Sequence, residues 1–318
     1  GLAGIPGLQM TRSLSRNGFS QVTAVFDDDV NIYFARQQIN ERLSEIKEKL
    51  PPGSDPQMGP VSTGLGEIYM WTVDFKNPAD QGIQIEEGKP GWQPDGSYLT
   101  PEGLLLKTDA EKSSYLRTVQ DWIIQPQLKG VKGIAGVDSI GGYVRQYHVE
   151  PNIEQMIALG LSFNEIIEAI RKNNMSIGPG YIEQQGEALL IKSDERLNAP
   201  GELGTIVVST RNGVPIRISD IANVKIGKEM RTGSASYNGH EAVVGTALML
   251  IGANSRTVSQ AVDKKLQEIN KTLPADIIAK PMLNRTKLVN ATIYTVAKNL
   301  SEGALLVIAV LFAFLGYI

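Results

Sequence analysis

Apolar residues recur at helical spacing in several stretches of the chain. Ile39, Leu43, Ile46 and Leu50 lie three and four residues apart, as do Val258, Val262, Leu266 and Ile269. Each run closes on a proline, Pro51 or Pro274. One apolar stripe with a proline stop predicts amphipathic helices over 31–51 and 255–274. Each follows an apolar strand, Val22–Phe26 or Val243–Met249, and a polar turn. A third helix is expected over Glu111–Leu128, with Leu116, Val119, Ile123 and Ile124 in register and Trp122 beside that face. A fourth lies within Pro151–Asn173, carrying Ile166, Ile167 and Ile170, with Ser162 or Asn164 as cap and Asn173-Asn174 at its end.

The strand–helix pairs are one internal repeat; a second is Leu2-Ala3-Gly4-Ile5-Pro6-Gly7-Leu8, matched by Leu128-Lys129-Gly130-Val131-Lys132-Gly133-Ile134. Both copies read L-x-G-aliphatic-x-G-aliphatic and run into strand-like sequence. The second follows the 111–128 helix, so the first is expected to begin at a helix end. Repeated strand–helix–strand units predict an α+β fold of split βαβ (ferredoxin-like) sandwiches, with helices on one sheet face. Between the repeats, Tyr143–Glu150 alternates as a strand, and hairpins are expected around Gln184-Gln185-Gly186-Glu187, Arg211-Asn212-Gly213 and Asn238-Gly239. The stretch Phe75–Gly103 is rich in Gly, Pro and charge without periodicity, and reads as a surface insertion. The last 16 residues, GALLVIAVLFAFLGYI, carry no charge. A span needs about 20 apolar residues, so this run is expected to be the start of a transmembrane helix.

Composition narrows the chemistry. The 31 Lys+Arg balance 34 Asp+Glu, leaving no basic field for a nucleic-acid partner. With no cysteine there is no thiolate site or disulfide, and the two histidines, His148 and His240, exclude a His-rich metal centre. No Ser/His/Asp arrangement or phosphate loop supports an enzyme; Gly178-Pro179-Gly180 lacks the lysine such a loop needs.

Five motifs carry a resemblance: Pro60-Val61-Ser62-Thr63-Gly64-Leu65-Gly66-Glu67-Ile68-Tyr69, Tyr33-Phe34-Ala35-Arg36, Gln120-Asp121-Trp122-Ile123, Gly141-Gly142-Tyr143-Val144, and Asn284-Arg285-Thr286 before an apolar helix. Together, in order and over the whole chain, they resemble the heavy-metal efflux branch of the resistance–nodulation–division (RND) transporters, of the CzcA-like cobalt–zinc–cadmium type. The resemblance implies the periplasmic portion of the N-terminal half of a proton-driven inner-membrane homotrimer. A periplasmic adaptor (membrane fusion) protein and an outer-membrane channel would be its partners, and the first membrane helix and proton-relay carboxylates would lie outside this chain. The implied layout is a first porter subdomain at 1–75, the insertion at 76–110, and a second porter subdomain at 111–142 and 232–297. A docking subdomain at 143–231 interrupts the second, and a membrane helix begins at 298–318. The 177–196 hairpin would be an arm reaching a neighbouring protomer. No cofactor is implied; the transported cation would be Zn, Co or Cd.

The resemblance also nominates metal ligands. A pump must bind and release, and carboxylates suit weak, exchangeable coordination of divalent cations. Glu67 and Asp138 match positions that zinc-type members use in a porter cleft; a salt bridge to a nearby cation, or a strand-edge residue facing water, is the plainer account of each. Met230, in Lys228-Glu229-Met230-Arg231, is the thioether candidate suggested by copper- and silver-type members, against a core or linker role. His148 reads as a half-buried packing residue and His240 as solvated. Asp27-Asp28-Asp29 reads as acids at a helix N-terminus rather than a cation site. An RND exporter of organic molecules would call for an aromatic-lined cleft, and aromatics are 6% of the chain. A membrane-anchored binding or adaptor module is the other alternative.

Overall fold

The structure, a computed structural model, describes residues 1–16, 19–51, 53–62, 66–77, 86–174, 176–177, 181–184, 187–190, 193–194, 200–211, 213–231 and 233–316. Strands β1 (Leu8–Arg16) and β2 (Phe19–Phe26) pair antiparallel and lead into α1 (Ile32–Ile46). The Asn31 side chain caps α1 by accepting from the Tyr33 and Phe34 backbone N–H groups, at 2.9 and 3.4 Å. The acidic run therefore precedes the cap: no acid lies in the first turn of α1, and Asp27–Asp29 instead form a turn closed by Val30 N–H donating to Asp27 O.

Next in the chain come β3 (Glu67–Phe75) and the short strands β4 (Gly91–Trp92), β5 (Tyr98–Leu99) and β6 (Leu105–Leu106). These precede α2 (Asp109–Val119), a π-helical turn over Gln120–Ile124, α3 (Gln125–Lys129) and β7 (Ile134–Ile140). A capping box starts α2: Glu111 N–H donates to Thr108 Oγ1 (3.2 Å) while Thr108 N–H donates to the Glu111 carboxylate (2.9 Å). The backbone N–H of Thr108, with further bonds, holds the Glu111 carboxyl below its usual range. Its contribution to stability is thus present above the ordinary Glu range and lost as pH falls through the lowered value. Thr108→Ala is expected to cost about 1 kcal/mol and to flatten this acid dependence, measurable by denaturation followed between neutral and acid pH.

The stretch from 145 to 228 forms a separate small unit. Its stem is β8 (Arg145–Pro151) paired antiparallel with a strand reached only at the unit's end. Helices α4 (Ile153–Ala158) and α5 (Phe163–Lys172) follow, then β9 (Ser176–Ile177), β10 (Tyr181–Gln184), β11 (Glu187–Leu190) and β12 (Ser193–Asp194). After α6 (Pro200–Thr205) come β13 (Val207–Arg211), β14 (Val214–Arg217), α7 (Ile218–Ile221) and the stem partner β15 (Ala222–Lys228). Its own core gathers Met156, Leu161, Ile166, Ile206, Ile218 and Ile221. The expected single helix over Pro151–Asn173 is two. Gly160, at φ +57°, turns the chain between them, and Ser162 rather than Asn164 caps α5, with Glu165 completing its box. In the predicted arm, β10 pairs with β11 and β9 with β12. Its residues 178–180, 185–186, 191–192 and 195–199 lie outside the described ones, as do Asn212 of the next hairpin and Tyr317-Ile318.

The chain returns through the hairpin β16 (Ser236–Tyr237) and β17 (His240–Glu241) to β18 (Val243–Met249), α8 (Ser255–Ile269), β19 (Ile277–Asn284) and α9 (Arg285–Leu315). β3, β7, β18 and β19 make one antiparallel sheet in the order β19-β3-β18-β7. With α2–α3 and α8 this is a ferredoxin-like βαββαβ sandwich, opened between β7 and β18 by the 145–228 unit. Its core includes Tyr69, Trp71, Ile124, Leu128, Val262 and Leu266.

Two domain expectations are corrected here. β3, placed with residues 1–75, instead supplies an inner strand of the second sandwich. Ile68, Tyr69, Trp71, Thr72 and Val73 are all buried, so β3 needs a neighbour on each edge, and β18 and β19 provide them. The stretch expected as a surface insertion at 76–110 sends a three-stranded meander into the core. Phe75, Trp92 and Tyr98 pack with ring centroids 4.8–5.5 Å apart, and Leu106 joins them. Strands of two residues are too short to show periodicity. Residues 78–85 lie outside the described ones.

The two copies of the L-x-G-aliphatic-x-G-aliphatic motif share local features. Gly7 and Gly133 both have positive φ, at +73° and +92°. Gly7 O accepts from Asp27 N–H and Gly133 O from Leu250 N–H, each at 2.9 Å. Two residues later each strand is bulged, with Gln9 or Ala135 unmatched in its ladder. A Cβ on either glycine would fall 2.5–2.6 Å from a valine, Val30 or Val258, so the glycines let strand and helix entry close together.

α9 is 31 residues long, about 46 Å at helical rise, and its apolar part is long enough to cross a membrane. It starts earlier than the expected 298, because Asn284 ends β19 and also caps α9, its side chain accepting from Thr286 N–H at 2.9 Å.

Candidate functional site

Glu67 and Asp138 lie on the same face of the sandwich sheet, opposite the helices. Asp138 pairs with Thr246 and Glu67 with Leu248, two positions apart on the strand between them. Their backbones are separated by two strand spacings, about 10 Å, and a further step of roughly 7 Å along the strands. That span has room for a hydrated cation between the carboxylates rather than for a tight shared site. Both side chains are exposed, and neither has an ion pair or hydrogen bond among the described residues. The salt-bridge account is thus not seen. Asp138 stands on the edge strand facing solvent, as its plainer reading had it. No group of three His, Asp or Glu residues able to hold a metal ion occurs among the described residues. Thr63, Gly64 and Leu65 of the motif before Glu67 lie outside them.

The other candidates are not brought to this face. Met230 follows β15 and is 90% exposed, so it belongs to the link out of the 145–228 unit and fills no core gap. His148 is half-buried on β8, its ring lying against Gly227, where a Cβ would meet it at 2.3 Å; its Nε2 is 3.3 Å from Gln146 Oε1. His240 is exposed at the β16–β17 turn.

Beneath the sheet, a buried polar chain fixes the strands that carry both carboxylates. Trp71 Nε1–H donates to Gln120 Oε1 (2.8 Å), and Gln120 Nε2–H donates to Ser139 Oγ (3.2 Å), next to Asp138. The Tyr69 hydroxyl donates to Asp263 of α8; burial, and then this carboxylate, push its phenol above the usual range. The π-helical turn starts at Gln120 and leaves Trp122 79% exposed. Trp122 borders an open groove of about 700 Å³, lined also by Asp121, Gln125, Pro126, Asp138 and Ile140. Helical periodicity flagged Trp122 as lying beside the apolar face; the π turn that carries it has no signal in spacing. Arg117 closes one end, paired with Asp121 (2.7 Å) and donating to Gly141 O (2.8 Å).

The chain is similar along its whole length to known proteins. The chain is 53% identical over 315 residues to the nickel-cobalt-cadmium resistance protein NccA of Alcaligenes xylosoxydans xylosoxydans, covering 99% of this chain and 29% of that protein. It is 47% identical over 317 residues to the cobalt-zinc-cadmium resistance protein CzcA of Cupriavidus metallidurans, covering 100% of this chain and 28% of that one. A crystal structure of a heavy metal efflux pump superimposes with a TM-score of 0.77 at 28% identity, over 99% of this chain and 28% of the pump. The chain thus spans under a third of the length of these relatives. The AcrB/AcrD/AcrF family model matches residues 1–318, and the chain belongs to that family.

Proposed function

We propose that the chain is the periplasmic part of a proton-driven inner-membrane pump that exports divalent cations such as zinc, cobalt, nickel or cadmium. The observation that carries this reading is likeness along the whole chain to proteins named for resistance to those metals. The pump works as a homotrimer with a periplasmic adaptor and an outer-membrane channel, and is a transporter rather than an enzyme. In this reading, 1–62 belong to a first porter subdomain, the sandwich is the second, 145–228 is the docking subdomain, its 177–196 hairpin reaches a neighbouring protomer, and α9 enters the membrane.

Glu67 and Asp138 act as successive carboxylate stations for the cation on the sheet face. Their exposure and their lack of partners among the described residues support the role, since a carboxylate not engaged by the protein is open to exchangeable coordination of a divalent cation. Met230 is a weaker station: a thioether on the link from the docking subdomain, reachable by a soft cation. In the full-length pump, Glu67→Ala or Asp138→Ala is expected to weaken cation binding about tenfold, about 1.4 kcal/mol, and so to lower zinc, cobalt or nickel tolerance of cells. Trimer assembly should survive. Unchanged tolerance in both variants, with the pump assembled, would remove the two stations.

A further inference from the structure

β7 is one of the two outer strands of the sandwich sheet, and among the described residues no strand lies beside its free edge. Exposed edges of this kind accept strands from other chains unless something obstructs them. The hydrogen-bonding pattern identifies which groups of β7 face outward. Leu250 N–H donates to Gly133 O, so β18 directs its even-numbered residues toward β7. At the far end Ala242 follows the same parity, its carbonyl lying against Gly141, where a Cβ would sit 2.1 Å away. Thr246–Asp138 is therefore a bonded pair, and Ala247–Val137 is a non-bonded pair. The N–H and C=O of Val137 consequently point away from β18, to the open edge.

That outward carbonyl is already occupied: the Gln125 side-chain amide Nε2–H, from the first turn of α3, donates to Val137 O. The amide sits where the backbone N–H of an added strand would have to be. Trp122 and Pro126 stand along the same groove. We propose that Gln125 is an edge-blocking residue, an intramolecular stand-in for a strand that keeps β7 from pairing with a second copy of the chain. Ile140, 46% exposed on the same strand, adds the apolar surface that would make such pairing favourable once the edge is free.

The test is hydrogen exchange at the outward amides of Val137 and Ser139, measured on the 318-residue chain in detergent micelles over a range of protein concentrations. In the unaltered protein these amides are expected to exchange at a rate independent of concentration. Gln125→Leu keeps the bulk and removes the donor; Gln125→Asn keeps the amide but draws it back by one methylene. Either variant, when folded, should show protection at both amides rising at least tenfold with concentration. Adding Ile140→Lys, which places a charge on the edge, should abolish that rise. Concentration-independent exchange in the folded variants would overturn the proposal. So would protection that persists with Ile140→Lys, because it would locate the association elsewhere. Loss of folding in both variants would overturn it too, by making the contact a determinant of the fold rather than a block on its edge.

Discussion

Trp71→Ala is expected to cost the fold about 3–5 kcal/mol, the range for emptying a fully buried tryptophan site. Trp71 has no exposed surface, and its indole lies across Gly245 of β18, where a Cβ would be 2.3 Å from the ring. The pair is shaped as bulk against absence, so removing the bulk leaves a void that β18 cannot fill. The loss is also polar: Gln120 Oε1, completely buried, would lose its indole donor and carry a desolvation penalty of about 1–3 kcal/mol, partly included in the first figure. Against a typical total stability of about 5–15 kcal/mol, the sandwich should lose a substantial part of its margin. Urea denaturation of the purified chain in micelles, followed by far-ultraviolet circular dichroism, should show the midpoint collapse. A midpoint shift worth under about 1 kcal/mol would mean that the indole is not the keystone of the sheet.

Gly141→Ala is expected to destabilise by roughly 2–5 kcal/mol, combining left-handed backbone strain with overpacking. Gly141 has φ +79°, and its added Cβ would lie 2.1 Å from the backbone oxygen of Ala242. A backbone carbonyl cannot rotate away as a side chain can. The substitution must therefore break the place where β7 leaves the sandwich and the return strand re-enters it. The Arg117 bond to Gly141 O would go with it. The defect should be local in origin: limited proteolysis is expected to cut first between 141 and 145 or between 228 and 236, before the 145–228 core opens. Cleavage that starts within that core would contradict this placement.

Much of this architecture was legible from residues. The repeat L-x-G-aliphatic-x-G-aliphatic foretold both strand entries, because a positive φ and a close approach to valine can be met only by glycine at Gly7 and Gly133. Asn-Gly at 238–239 foretold its hairpin, and the uncharged terminal run foretold α9. Partner choice was not legible. Nothing in the apolar run Ile68–Val73 says that its neighbours are β18 and β19, more than 160 residues away, rather than β2. The meander of β4–β6 was hidden for another reason: its cohesion comes from aromatic contacts among Phe75, Trp92 and Tyr98, which leave no period in the sequence. At the candidate site, residue type and motif nominated Glu67 and Asp138. Their common face depends on the strand register and on a β3 bulge at Ile68, and neither can be read from a single sequence.

Asn284 leaves no slack between the sheet and the terminal helix. It is the last ladder residue of β19, opposite Tyr69, and the cap of α9. With no loop to act as a universal joint, the helix is cantilevered from the sheet, and Thr286 Oγ1 braces it against the Arg256 carbonyl at 3.5 Å. A change of a few degrees in the sheet's attitude would be magnified over the roughly 46 Å of α9 into a displacement of several ångströms at its far end. The sandwich sheet and the helix therefore form a lever, able to pass movement either way without an intermediary.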